Sequence, residues 1–303
     1  MKKSLFTILP MLLIASSCKV NTEDLTILTP TGAPAVAFYN HYYNENYVTN
    51  SSPINIVSSM TDNGSDIVVI DTIKGIDAIK NGSPYKLAAN ITFGNFYIAS
   101  TGNDDNETMD KDDVIVSFGR GQTPQKVFEL IYGKDYTNIE YVENVSQAAK
   151  CLQTKKTVDK SKDVDYVFIA EPVLTQSLKV NTDAKVYANI QEKYTEKTNK
   201  GLIQAGVFVK NSTDKNKVNK FLEDLNNDIS NLLADSEVLT NTLKDVDNEA
   251  YVAKYGIGMP IAKQTISNNN KIGLGFKYAS DNKDNIKDFC KLFNLEVNDE
   301  EIY

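Results

Sequence analysis

Residues 66–82 read DIVVIDTIKGIDAIKNG. The first part is an unbroken apolar run of the kind buried on both faces of a parallel sheet. After Asp71 and Thr72 the period changes. Ile73, Ile76 and Ile79 then fall on one helical face that stops at Gly82. A buried strand feeding directly into an amphipathic helix is half of a βαβ unit, and the rest of the chain repeats it. Upstream, LTILTP (25–30) is a β-rich run ended by a proline, residues 34–47 can form a helix, and INIVSS (54–59) reads as another buried strand. Downstream, YKLAANITF (85–93) is a strand.

A second alternating set follows the acidic loop GNDDNETMDKDD (102–113). It comprises strand DVIVSFG (113–119), helix QKVFELIYG (125–133), strand NIEYVE (138–143), helix SQAAKCLQ (146–153), strand DYVFIA (165–170), helix PVLTQSL (172–178) and strand AKVYANI (184–190). GLIQAGVFVK (201–210) then leads into a largely helical stretch at 214–255, and the tail from 271 reads as a strand followed by a helix. Strands alternating with helices indicate mostly parallel sheets. Two such blocks with a return segment predict two α/β lobes joined by crossing strands. Ligands of such sheets bind outside the carboxyl ends of the strands.

The N-terminus carries an address. Lys2 and Lys3 precede an apolar run, residues 5–15, too short to span a bilayer, which needs roughly 18 or more apolar residues. Residues 1–17 therefore read as a secretory signal peptide. The small residues before Cys18 resemble a bacterial lipobox, which makes Cys18 the expected lipidated N-terminus and 18–23 a tether. The net charge of −8, with no basic stripe, argues against nucleic acid. Cys151 and Cys290 have no metal-type spacing and read as buried thiols. His41 is the only histidine and reads as a surface or packing residue.

Four loops share one design, with a buried strand followed by small or polar residues before a helix. They are TPTGAP (29–34), DTIKG (71–75), GRGQTP (119–124) and AEP (170–172). Pro34, Pro124 and Pro172 suit a first helical turn. The N–H groups beside them lack intrahelical partners and favour anions or polar ligand atoms. Arg120 is the only arginine; its planar guanidinium suits a carboxylate, phosphate or sulfonate, and the alternatives are a salt bridge to Glu or Asp at the cleft rim or a simply exposed side chain. Phe93, Phe96 and Tyr39 are candidates to stack on a ring, whereas Phe38 and Tyr42 have the spacing of core residues.

GAPAVAFY, DIVVIDTIKGIDAIKNG, YKLAANITFGNFYIAS, VSFGRGQTPQKVFE and VDYVFIAEPVLTQ, in this order, resemble the solute-binding proteins of ABC importers, as does the ending NDEEIY. The closest subgroup serves taurine and other sulfonates, thiamine-pyrimidine precursors and riboflavin. The resemblance implies the type II periplasmic-binding-protein architecture. Lobe 1 would span 24–93 and 203–303, lobe 2 would span 94–202, and part of the C-terminal tail could pack on lobe 2. It places the cleft at Thr31, Gly32, Ala33, Pro34, Asp71, Thr72, Gly94, Asn95, Phe96, Gly121, Gln122, Thr123 and Glu171. It also implies a small-molecule solute, an ABC permease as partner, no cofactor, a monomer, and a lipid-anchored site on the outer face of the cytoplasmic membrane. Backbone N–H groups at residues 32–36, Pro34 excepted, are expected to approach the cleft. Asp71 and Glu171 favour a ring N–H or amine over an anion, so a planar heteroaromatic fits best. Two readings compete with this one. An enzyme resembling the thiamine-pyrimidine synthases needs histidine and a cysteine-rich iron segment, and no nucleophile–base set is legible here. A sensing lipoprotein without a transporter would share every feature above.

Overall fold

The computed structural model describes residues 20–103 and 108–303. The expected signal peptide, residues 1–17, and the expected lipidation site Cys18 lie outside the described residues. In chain order the elements are β1 (Ile27–Pro30), α1 (Ala33–Val36), β2 (Tyr47–Asn50), α2 (Pro53–Ser58), β3 (Ile67–Asp71), α3 (Thr72–Lys80), β4 (Tyr85–Thr92) and β5 (Phe96–Ser100). There follow β6 (Ile115–Phe118), α4 (Thr123–Tyr132), β7 (Ile139–Val142), α5 (Val145–Thr154), β8 (Tyr166–Ala170), α6 (Val173–Val180), β9 (Lys185–Asn189) and α7 (Ile190–Thr198). The chain then returns through β10 (Ala205–Lys210), α8 (Lys215–Ala234), α9 (Glu237–Thr242), α10 (Asn248–Tyr255), α11 (Met259–Ser267), β11 (Leu274–Tyr278) and α12 (Lys283–Lys291).

These strands form two sheets, ordered β11-β4-β10-β3-β1-β2 and β7-β6-β8-β5-β9. Each is the centre of one α/β lobe. The sheets are mixed rather than mostly parallel. β1 lies parallel to β2 and β3, but β10 runs antiparallel to β3 and β4. In the other sheet β6 is parallel to β7 and β8, whereas β5 is antiparallel to β8 and β9. The reason is the connection. β4 runs toward the junction and continues into β5 of the other sheet, and β10 comes back from it, so the linking strands enter each sheet against its grain.

β3 shows why the opening stretch decides the fold. Ile67 to Ile70 are all buried, with β1 on one side and β10 on the other. Asp71 then caps α3 by accepting the Lys74 N–H at 3.1 Å. Gly75 lets the helix lie on the sheet, since a Cβ there would come within 2.0 Å of the Phe208 ring.

Two segments differ from the sequence reading. INIVSS belongs to a helix, α2, because Ser52 accepts the Asn55 N–H at 3.4 Å and Pro53 fills the first turn. The helix expected over 34–47 stops at Val36 and resumes as one 3-10 turn, Tyr39–His41. Asn44 then bonds the Asn46 N–H through its side chain, and the β-favouring Tyr47, Val48 and Thr49 form β2 beside β1.

One apolar cluster fills lobe 1 around Phe38, Tyr39, Phe221 and Tyr255, with His41 half-buried against the Phe38 and Phe221 rings. A second runs from β3 and α2 through Phe96 and Phe168 into the other lobe, and includes Phe289 and Cys290 of α12. The C-terminal segment therefore touches both lobes. Phe289 meets the Tyr194 ring on α7, and Ile302 bridges to Leu87 on β4. Cys151 and Cys290 are free thiols, both buried, with burial pushing the Cys290 thiol up to about 12. No helix of the described residues is long and apolar enough to cross a membrane.

Candidate functional site

A cavity of about 200 Å³ lies between the lobes. The carboxyl ends of five strands reach it, at Pro30, Asp71, Thr92, Phe118 and Ala170, together with the first residues of the two linking strands, Phe96 and Ala205. This is where the parallel parts of each sheet aim their helix-leading loops. Its walls are mostly apolar. Pro30, Pro34, Pro53, Ile56 and Ile70 come from lobe 1, while Phe96, Phe118 and Val145 face them from lobe 2. The Phe96 and Phe118 rings meet edge to face, 5.9 Å apart and at 74°. Polar groups are few: Thr31, Asp71, Lys74, Thr92, Asn95, Gln122 and Gln204. A small apolar pocket with sparse polar groups is the usual make-up of a ligand site.

Behind the cavity, the two crossings are tied into one buried network. The Gln204 carboxamide oxygen accepts the Gly94 and Asn95 N–H groups at 2.8 and 3.1 Å. Its NH2 group donates to the Asn95 side-chain oxygen at 2.7 Å. The Asn95 NH2 donates in turn to the Glu171 carbonyl at 2.9 Å. The Gln204 main chain pairs on both sides, its N–H with the Thr92 carbonyl at 3.1 Å and its carbonyl with the Thr72 N–H at 2.7 Å. Gly94, at φ 79°, turns the chain under the Gln191 side chain, where a Cβ would come within 2.1 Å of it.

At the mouth the lobes meet more sparingly. The Thr123 hydroxyl, on the first turn of α4, donates to the Asp71 carboxylate at 2.8 Å. On the outer surface Lys179 of α6 donates to Gln264 of α11 at 2.8 Å. Burial pushes the Asp71 carboxyl above its ordinary value, against the opposing pull of the Thr123 and Lys74 bonds and the Lys74 charge.

Thr31, Pro34, Asp71, Asn95, Phe96 and Gln122 of the expected site residues line the cavity. Thr123 stands at its edge through the bond to Asp71, and Thr72 and Gly94 support the crossings behind it. Others lie elsewhere. Gly32 donates its N–H to the Tyr255 carbonyl at 2.7 Å, and Ala35 donates to the Gly32 carbonyl, so these N–H groups are engaged within lobe 1. Ala33 and Tyr39 are buried in the lobe 1 core. Phe93 packs against Gly275 rather than on the cavity. Gly121 donates to the Gln125 side chain at 2.8 Å. Arg120 is exposed, its guanidinium 5.8 Å from the centre of the Tyr141 ring. Glu171 is buried, and its carboxylate caps α6 by accepting the Thr175 N–H at 2.9 Å and hydroxyl at 2.8 Å. Its carboxyl is also raised, by burial first.

The sequence reading missed Lys74, Gln204, Phe118, Val145 and the Pro53–Ile56 wall. Two of these had a signal. Ser52-Pro53 is a helix start, which would have put α2 beside the β1 loop, and Lys74 follows the β3 end by one helical turn. Gln204 had none, because only the pairing of the crossings brings it to Asn95.

No protein-family model matches the sequence, and no curated protein does. Solved structures do. A protein from Parabacteroides distasonis described as an ABC transporter superposes with a TM-score of 0.69 over 89% of this chain and 91% of that one, at 16% identity. The periplasmic aliphatic sulphonate binding protein of Escherichia coli gives 0.64 over 92% and 91%, at 14% identity. The zinc-bound ligand binding component of an ABC-type import system from Staphylococcus aureus gives 0.64 over 92% and 95%, at 11% identity. The chain has the periplasmic-binding-protein fold, with two α/β lobes. At these identities the likeness speaks for the fold and leaves the solute to be argued from the cavity.

Proposed function

We propose that the protein is an extracytoplasmic solute-binding protein that delivers a small molecule to an ABC importer. The observation that carries this reading is the apolar cavity between the two lobes, at the strand ends and against the crossings. The fold it shares with binding components of importers supports it. Lobe 1 comprises 24–93 and 203–303, lobe 2 comprises 94–202, and the lobes close on a bound solute as a monomer. The edge-to-face pair of Phe96 and Phe118 favours a planar, heteroaromatic solute. The fold shared with the binding components of importers supports binding rather than catalysis.

The direct test is mass spectrometry of solute released from protein purified without its leader, followed by thermal unfolding with the compound found. A ligand at 100 times its Kd adds roughly 2.7 kcal/mol of stability. No released compound, and no stabilisation by any member of a vitamin-precursor, sulfonate, amino-acid and sugar panel, would reject solute binding. Attachment is a separate part of the proposal. Cys18 is the proposed lipid site, so Cys18→Ala should move the protein from the membrane pellet to the soluble fraction. Retention in the pellet would rule out lipid anchoring.

A further inference from the structure

The cavity has two charged side chains on its lining, Asp71 and Lys74, and they differ in how far the protein has already used them. One Asp71 oxygen accepts from the Lys74 N–H and the other from the Thr123 hydroxyl. The nearby Glu171 carboxylate is turned to Thr175 and does not line the cavity. Neither carboxylate is left to dictate the charge of a ligand. Lys74 lies one turn into α3, half-buried, and forms no salt bridge among the described residues; its electrostatic effect is felt by Asp71. An ammonium in a partly desolvated, mostly apolar cavity is stabilised by an anion brought to it.

The other polar groups sharpen the point. Asn95 and Gln204 satisfy each other and the crossing backbone, so their amides are committed. The Gln122 carboxamide and the Thr31 hydroxyl make no hydrogen bond among the described residues and are free to orient a ligand's acceptor. We propose that the solute is a small ring compound carrying a single acidic group, whose anion pairs with Lys74 while the ring lies against Phe96 and Phe118. The proposal rests on the solute-binding reading and adds the charge of the solute to it. A monoanion is specified because Lys74 is the single cationic side chain among the described residues of the lining and can neutralise one negative charge. A dianion such as a phosphate monoester would leave excess negative charge beside the Asp71 carboxylate.

The test is calorimetric titration of ligand-free protein with matched acid and amide pairs: nicotinate and nicotinamide, benzoate and benzamide, benzenesulfonate and benzenesulfonamide. At least one acid is expected to bind at least tenfold more tightly than its amide. Lys74→Met should weaken that acid at least tenfold and leave the amide unchanged, while Lys74→Arg keeps part of the preference. Amides that bind as well as acids, or an acid whose affinity Lys74→Met does not move, would overturn the proposal. A neutral or cationic solute recovered from the native protein, with no acid of the series bound, would also overturn it while leaving solute binding intact. Absence of any bound compound in both experiments would remove the solute-binding reading as well.

Discussion

The back of the interlobe junction and its mouth are built on opposite plans. At the back, Gln204, Asn95 and the backbone of Gly94, Thr72 and Thr92 are buried and mutually paired, so every side-chain polar atom of Gln204 and Asn95 has a partner. At the mouth, the direct link beside the cavity is a single hydroxyl–carboxylate bond from Thr123 to Asp71. A fully satisfied buried network is costly to disturb and fixes one geometry. The Thr123 hydroxyl is buried as well, so its bond is sheltered, but it is one link against the several at the back. The difference separates two tasks. The back ties the lobes in register, and under the proposed solute-binding reading the mouth is where a ligand would tip the balance between open and closed forms, because only differential affinity shifts such an equilibrium.

The largest effect should come from breaking the back. Gln204→Leu leaves the Gly94 and Asn95 N–H groups and the Asn95 side-chain oxygen without their partner. Orphaning buried polar groups costs roughly 1–3 kcal/mol each, and partial rescue by water brings the expected loss to about 3 kcal/mol. Urea unfolding of the two proteins checks it. A loss below about 1 kcal/mol, the scale of one ordinary hydrogen bond, would mean that the crossings are not held as described.

Breaking the Thr123–Asp71 link should cost less stability than breaking the back and should move conformation as well. Thr123→Val removes one of the two donors to the Asp71 carboxylate, which keeps the Lys74 N–H, and should cost about 1–2 kcal/mol of global stability, less than Gln204→Leu. Small-angle scattering of the ligand-free variant should show a larger open population, and an unchanged profile would break the contrast between the two regions. Asp71 supplies a pH test with a definite sign. Its carboxyl is raised above 3.8 in the folded protein, so the folded state holds that proton more tightly than the unfolded chain does. This contribution is fully present at low pH and is lost as pH rises through the folded value. Asp71→Asn has no such dependence. Going from acid toward neutral pH, the stability difference should move in favour of the variant. The Glu171 carboxyl is also raised and gives both proteins a slope of the same sign, so only the difference is diagnostic. A difference that moves the other way would place Asp71 in a better-solvated setting than the one described.

The same contrast explains what could be read from the chain alone. The unbroken run of β3, the shift to helical spacing at Ile73 and Ile76, and the repetition of that pattern set the α/β class, because burial on both faces of a strand leaves a local signature. Strand direction left none, since only the crossing between lobes makes β10 antiparallel to β4. The mouth was legible as loops: Pro34, Asp71 and Gln122 lie at strand-to-helix turns marked by proline and small residues. Which atoms of those turns face the cavity was not legible. The Gly32 N–H looked free until Tyr255, more than two hundred residues along the chain, arrived to accept it. Glu171 looked like an open charge until Thr175, one helical turn on, proved to hold it. Such sites are decided by pairing across lobes or within a cap, and neither leaves a trace in composition.

The smallest expected effect concerns the residue whose chemistry drew most attention in the sequence. Arg120 is the only arginine, sits between two glycines, and has the planar guanidinium that suits an acid group. Its position answers otherwise. The GRGQTP turn carries Gln122 onto the cavity and Thr123 to Asp71, whereas the Arg120 side chain is exposed and lies over Tyr141. A cation over an aromatic ring at an exposed site is worth roughly 0.5–1 kcal/mol, and alanine keeps the turn's backbone freedom unchanged at the flanking glycines. Arg120→Ala should therefore lower stability by about 0.5 kcal/mol and leave solute affinity within about twofold of the parent protein. Lys74→Met, with the same loss of one positive charge, should change affinity at least tenfold. Measuring both against one acidic solute at two salt concentrations separates contact from general attraction. An exposed charge acting at a distance is screened by salt, whereas a partner inside the cavity is screened much less. A large, salt-insensitive loss on Arg120→Ala would move the anion site to the outer edge of lobe 2 and take Lys74 out of it.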